Sequence, residues 1–148
     1  GMRPLVQEYI QESHGQDVRA LVVGGEVVAA MRRKAHGSEF RSNFHLGGSV
    51  EPVEISGKFA KIACTAANKL GLDLAGVDML ESRNGPLVLE VNSSPGLEGI
   101  ESVVGEGFVA AKVARLLNRR LAESRGDFES SDSTEMTGAG SEASGIYD

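Results

Sequence analysis

The sequence predicts an α+β fold, a largely antiparallel sheet with helices packed on one side, and three observations carry that reading. Gly24-Gly25 separates two Val-rich runs, which is the signature of a tight hairpin. Residues 74–82 and 86–92 are two further apolar runs, joined by the turn-forming stretch Ser82-Arg83-Asn84-Gly85-Pro86. Between the hairpins, and again after the second one, apolar residues recur at helical spacing.

Taken in order, strands are expected near 4–10, 17–24, 26–33 and 50–55. A helix follows near 57–71, where Phe59, Ile62, Ala63, Ala66, Ala67 and Leu70 form one core-facing stripe. After the second hairpin come helices near 98–104 and 107–122. The last places Phe108, Ala111, Ala114, Leu117 and Leu121 inward, with Lys112, Arg115, Arg119 and Arg120 on the solvated side. Residues 1–122 of the 148 form one domain, and 123–148 form an acidic Ser/Gly-rich tail expected to be disordered, since it carries almost no large apolar group. The formal charge of −6 resides in that tail: from Ala122 onward seven acids face the single base Arg125, and the body is balanced. Nothing in this distribution indicates nucleic-acid binding, and no apolar run is long enough for a membrane helix. Cys64 is the one cysteine. It excludes an internal disulfide and fits a reducing cytoplasm.

Two apolar strands interrupted by carboxylates suggest chemistry. Glu90 and Asn92 lie two residues apart in Leu87–Asn92, so they point to the same face. Asp78 interrupts the preceding strand, and two carboxylates with an amide oxygen make a hard-oxygen set suited to Mg²⁺, which keeps several waters and shares phosphate oxygens. The turn admits two registers. A two-residue Asn84-Gly85 turn pairs Arg83 with Pro86 and puts Asp78 across from Val91, away from Glu90. A three-residue loop of Arg83, Asn84 and Gly85 pairs Ser82 with Pro86 and sets Asp78 opposite Glu90 at roughly 5 Å between Cβ atoms. Only the second builds a metal site. In that site the two acids repel, so Asp78→Asn and Glu90→Gln are both expected to leave the metal-free fold equally or more stable.

The runs QEYI at 7–10, GQDVRALVVGGEVVAAMRR at 15–33, EFRSNFHLGG at 39–48, LAGVDML at 74–80 and LVLEVNSSPGLEGIE at 87–101 resemble the C-terminal part of the ATP-grasp fold, most closely its RimK-type branch. Members of that branch are ATP-dependent carboxylate–amine ligases, the type enzyme adding glutamate to a protein C-terminus. The resemblance implies that Asp78, Glu90 and Asn92 hold Mg²⁺, with Mn²⁺ as a substitute. It implies that Glu8 and Tyr9 hold the adenine of ATP, that Asp17 is the nucleotide-binding acid that follows, and that Arg41, Ser42 and Asn43 lie near the phosphates. It also implies that a first ATP-grasp half precedes Gln7, so the isolated chain is expected to be inactive.

Forming an acyl phosphate brings a carboxylate against a triphosphate, and the main obstacle is like-charge repulsion. Arg19 and Arg41 are the candidate catalytic cations, and glutamate or a similar amino acid would be one substrate. The acceptor, a protein or a small molecule, is left open, and a non-catalytic nucleotide- or metal-binding module is the reading from another class. With a two-residue Gly24-Gly25 turn, Asp17 faces Arg32, an arrangement equally suited to a plain cross-strand ion pair. The basic run Arg32-Arg33-Lys34 is a solvated edge or an attractor for an acidic acceptor. His14, His36 and His45 are widely spaced loop residues and suggest no metal site. Truncation after Glu123 should leave the melting temperature unchanged; a fall of many degrees would show that the tail is part of the fold.

Overall fold

The computed structural model describes Pro4, residues 6–35 and residues 48–135, the side chains of 126–135 excepted. Five strands form one sheet, antiparallel throughout, in the order β3-β2-β1-β4-β5. They are β1 (Gln16–Val23), β2 (Glu26–Lys34), β3 (Ser49–Pro52), β4 (Leu74–Ser82) and β5 (Gly85–Asn92). The central pair, β1 and β4, is the most buried and is built from Val, Ala and Met, as strands covered on both faces require.

Helix α1 (Gly57–Lys69) covers one face. Its Ala63 and Ala67, fully buried, meet Ala20, Val22, Ala75, Val77 and Met79, and small residues on both sides allow a close approach. Phe59, Ile62 and Ala66 complete the expected stripe, whereas Leu70 falls beyond the last turn and is exposed. The α+β class and antiparallel sheet are as the sequence predicts. The one-sided packing describes α1, while α2 (Glu98–Val104) lies on the opposite face. There Gly99 is packed against the Met31 thioether and Val50. Met31 pairs with Arg19, which fixes the face α2 occupies. The cause is the path out of β5: Ser93 and Ser94 turn the chain back so that buried Pro95 sits over Gly76.

Two further expectations differ. No strand forms at 6–10; Val6 and Tyr9 are exposed there and both neighbours of β1 are already taken. A β-prone stretch without a strand edge to join gains nothing from being extended. A short 3₁₀ turn at Gln11–Ser13 follows instead. Secondly, α3 runs from Phe108 to Glu135, into the segment expected to lack structure. Once a helix is nucleated each further residue adds a hydrogen bond at little cost, so an acidic polar sequence without Pro can continue it. The chain divides into two compact units, Gly1–Val113 and Ala114–Asp148; in the second, the described part is this helix, where Leu117 and Leu121 are exposed and do not form the expected inward stripe. Residues 136–148 lie outside the described residues.

Glycine at 76 is a packing requirement. A Cβ there would stand 2.8 Å from Pro95 Cβ, and neither the ring nor the central strand can yield easily. Gly76→Ala should cost about 1–3 kcal/mol, as overpacking does. A thermal melt indistinguishable from wild type would show that the Ser93–Pro95 turn is loosely held.

Candidate functional site

The two hairpins converge on one face of the sheet, and a strand irregularity in each decides which side chains meet. In the first, Val23 faces Glu26 across Gly24-Gly25, as expected, but the register shifts between Leu21 and Val22. Val28 is the extra residue, so Asp17 faces Arg33 and Arg32 is displaced to face Val18. In the second, neither expected turn forms. Ser82 faces Gly85 across a two-residue loop of Arg83 and Asn84, closed by Ser82 Oγ donating to the Gly85 carbonyl at 2.7 Å. On its own that register would set Asp78 against Leu89. A shift between Asp78 and Met79 makes Leu89 the extra residue, and Asp78 does pair with Glu90. The expected pairing therefore arises from a bulge and not from the turn. Asn92, opposite Gly76, lies diagonal to Asp78 on the same face.

Asp78 is only 1% exposed, and its charge is compensated by two arginines. Arg19, directly opposite on β1, binds it through two parallel hydrogen bonds, Nε to Oδ1 at 2.6 Å and Nη2 to Oδ2 at 2.7 Å. Arg33 Nη2 adds a third at 2.6 Å to Oδ2. Arg33 also grips buried Asp17 with Nε at 2.7 Å and Nη2 at 2.6 Å. Burial alone would lower the Arg33 guanidinium, but the hydrogen bond to Asp17 and the charges of Asp78 and Asp17 raise it above its ordinary value. Sequence reasoning missed Arg33. Its only signal was its place in the basic run, and no residue type marks the bulge that turns it inward.

All three members of the run are ion-paired: Arg33 with Asp17 and Asp78, Arg32 with Glu81 and Glu51, and Lys34 with Glu51 at 2.8 Å. The hydrogen bond to Glu81 is the main reason that Arg32 is raised from its ordinary value.

Glu90 stands on the exposed edge strand, beside Leu87, Val88 and Leu89, each more than a third exposed. β5 is thus a sheet edge with these three residues open, while Pro86 is buried and Val91 packs against the core. Desolvation raises the Glu90 carboxyl, and the charge of Asp78 and a hydrogen bond with it add to the shift, against Arg19 and Arg33. Asn92 Oδ1 accepts the Ser94 N–H at 3.0 Å, which fixes the amide and leaves a lone pair available.

Asp78, Glu90 and Asn92 thus present two carboxylates and an amide oxygen on one face. No third His, Cys, Asp or Glu joins them among the described residues. The set fits a hard cation that completes its shell with water and phosphate oxygens, and does not form a closed protein cage.

A cavity of about 360 Å³ adjoins this cluster, lined among others by Glu8, Tyr9, Ser13, Asp17, Leu80 and Leu89. Its wall is anchored: Ser13 Oγ donates to the Glu81 carbonyl at 2.9 Å and accepts the Glu81 N–H at 2.6 Å, tying the 3₁₀ turn to β4. Tyr9 is hydrogen-bonded through its hydroxyl to His14 Nδ1, their rings edge-on at 6.0 Å. Asp17 lines the cavity and is bonded to Arg33, so pocket and charge cluster are continuous. The structure therefore brings together Glu8, Tyr9, Asp17, Arg19, Asp78, Glu90 and Asn92. Arg41, Ser42 and Asn43, with His36 and His45, lie outside the described residues.

Comparison with known proteins gives this arrangement a context. The family described as the RimK-like ATP-grasp domain matches residues 2–117. A "Probable alpha-L-glutamate ligase" of Aeromonas salmonicida is 58% identical over 118 residues, 80% of this chain and 39% of that protein. A "Probable alpha-L-glutamate ligase 2" of Pseudoalteromonas atlantica is 60% identical over 102 residues, 69% of this chain and 34% of that protein. The chain thus spans well under half the length of these relatives. Among solved structures, the ATP-grasp ligase PsnB complexed with a phosphomimetic variant of a minimal precursor, Mg and ADP aligns with a TM-score of 0.50 at 27% identity, over 70% of this chain and 34% of that one.

The two carboxylates should respond oppositely to neutralisation, contrary to the symmetrical expectation from sequence. Asp78→Asn leaves Arg19 and Arg33 short of a buried partner and should destabilise the metal-free fold by about 3–5 kcal/mol. Glu90 is raised, so it favours folding while protonated and that contribution is lost as pH rises through its folded value. Glu90→Gln, permanently neutral, should therefore match wild type near pH ~4, the ordinary carboxylate range, and melt at or above it at pH 7 without metal. Thermal melts at both pH values test this; a Glu90→Gln variant less stable than wild type at pH 7 would contradict it.

Proposed function

We propose a ligase function on this premise: the chain belongs to the RimK-like ATP-grasp family. It forms one wall of the nucleotide site of an ATP-dependent carboxylate–amine ligase, and glutamate is the amine-bearing substrate. The observation that carries the reading is the pairing of Asp78 with Glu90, with Asn92 diagonal to it, beside a cavity bordered by Asp17. The relatives' names support glutamate, and the PsnB complex with Mg and ADP supports the cation and the nucleotide.

Each residue has a physical task. Glu8 and Tyr9, on the cavity rim, take the adenine. Asp17 has carboxylate oxygens suited to a ribose hydroxyl. Asp78, Glu90 and Asn92 hold Mg²⁺, or Mn²⁺ in its place, and a bound cation supplies charge neutralisation between phosphates and an incoming carboxylate. Arg19, held on Asp78, and Arg41 with Ser42 and Asn43 add positive charge and donors for developing phosphate charge. The activated carboxylate belongs to an acceptor, and a protein C-terminus is the acceptor we favour; that PsnB is complexed with a precursor peptide supports a polypeptide acceptor. We place the activity in the cytoplasm, where Cys64 stays reduced.

A full-length ligase carrying this chain, incubated with ATP, Mg²⁺, glutamate and candidate acceptor proteins, should add whole glutamyl residues detectable by mass spectrometry. Glu90→Gln in the same protein should lower turnover by about 10²-fold or more, the scale of removing a charge-stabilising group. Full turnover by Glu90→Gln, or the same products without a divalent cation, would contradict the assignment.

A further inference from the structure

One guanidinium, that of Arg33, joins the two halves of the site. Its Nη2 donates to Asp17 Oδ2 and to Asp78 Oδ2, both at 2.6 Å, while its Nε donates to Asp17 Oδ1 at 2.7 Å. Asp17 borders the cavity; Asp78 belongs to the cation-facing set. Both carboxylates are almost fully buried, at 4% and 1% exposure, so neither can be re-aimed by water. The planar fork bridges them, while Arg19 holds Asp78 from the β1 side. Arg32, next in sequence, points to the other face and pairs with Glu81.

We infer that Arg33 is a positioning residue that aligns the nucleotide pocket with the cation site by holding Asp17 and Asp78 on a single guanidinium. The inference rests on the nucleotide and cation reading above and deepens it. Arg33 touches neither ligand; it acts through the two carboxylates, and its effect is geometric more than electrostatic. Replacement by Lys keeps the positive charge but replaces a planar five-donor group by a point charge that cannot span both acids in the same geometry. Arg33→Lys should therefore weaken ligands at both ends together. A residue needed only for folding would leave the affinities of the folded protein alone.

The test separates the two ends with probes that do not touch each other. Adenosine, which has no phosphate, reports the cavity, and Mn²⁺ alone reports the cation face. Both are titrated into the 148-residue chain, with NMR shifts and paramagnetic relaxation as readouts and the folded fraction checked by circular dichroism. Arg33→Lys should weaken adenosine and Mn²⁺ at least fivefold each, while Arg32→Lys leaves both at wild-type affinity. Where Arg33→Lys fails to fold, Asp17→Asn supplies the second route: it loosens one end of the fork and should weaken Mn²⁺, although Asp17 is not one of its ligands. Folded Arg33→Lys, or folded Asp17→Asn, with wild-type Mn²⁺ affinity overturns the inference. Wild-type chain that binds neither probe overturns the nucleotide and cation reading beneath it.

Discussion

A carboxylate in the middle of a covered sheet is tolerated only where its charge is compensated, and Asp78 makes that demand on this fold. Two arginines answer it, one from each neighbouring position across β1 and β2. Arg33 can reach inward only because β2 carries an extra residue, and its second carboxylate, Asp17, then borders the cavity. The bulge in β2, the buried acid and the border of the pocket are thus joined through one guanidinium.

The opposite side of Asp78 is built differently. Glu90 is on the edge strand, reaches solvent, and makes no ion pair with an arginine among the described residues, so an Asp and a Glu of similar chemistry take different stability roles. Asp78 is a structural anchor whose two oxygens accept from Arg19 and Arg33; Glu90 is tolerated by the fold and disfavoured when ionised. A fully compensated acid beside an under-compensated one leaves net negative charge at the site edge, where an added cation is favoured. The Asn92 amide, fixed by the Ser94 N–H, adds a neutral donor oxygen without further repulsion.

Much of this was legible from residue types. Gly24-Gly25 marked the first hairpin, the Val- and Ala-rich runs marked β1 and β4, and the period-2 spacing of Glu90 and Asn92 placed them on one face. The alternation of side chains is a property of the strand itself and survives any error about turns. What was not legible depended on single-residue insertions. Val28 and Leu89 are ordinary apolar residues, and a bulge at either needs no particular side chain, yet each shifts every partner beyond it. For Asp17 the shift replaced Arg32 by Arg33. For Asp78 it offset an unexpected turn and restored the pairing with Glu90. Exposure was equally hidden, because sequence does not say which strand lies at an edge: Leu87, Val88 and Leu89 belong to an apolar run and are open.

The central claim is that a divalent cation with nucleotide sits at the bulged end of the β4–β5 hairpin. Paramagnetic relaxation in the isotope-labelled 148-residue chain tests it most directly, with Mn²⁺ and ADP added at substoichiometric metal. The account predicts selective broadening of the amides of residues 76–79 and 90–93, with shift changes at Glu8, Tyr9 and Asp17, and sharp signals along α1. Broadening centred on the acidic segment after Ala122, with the hairpin signals unchanged, would contradict it.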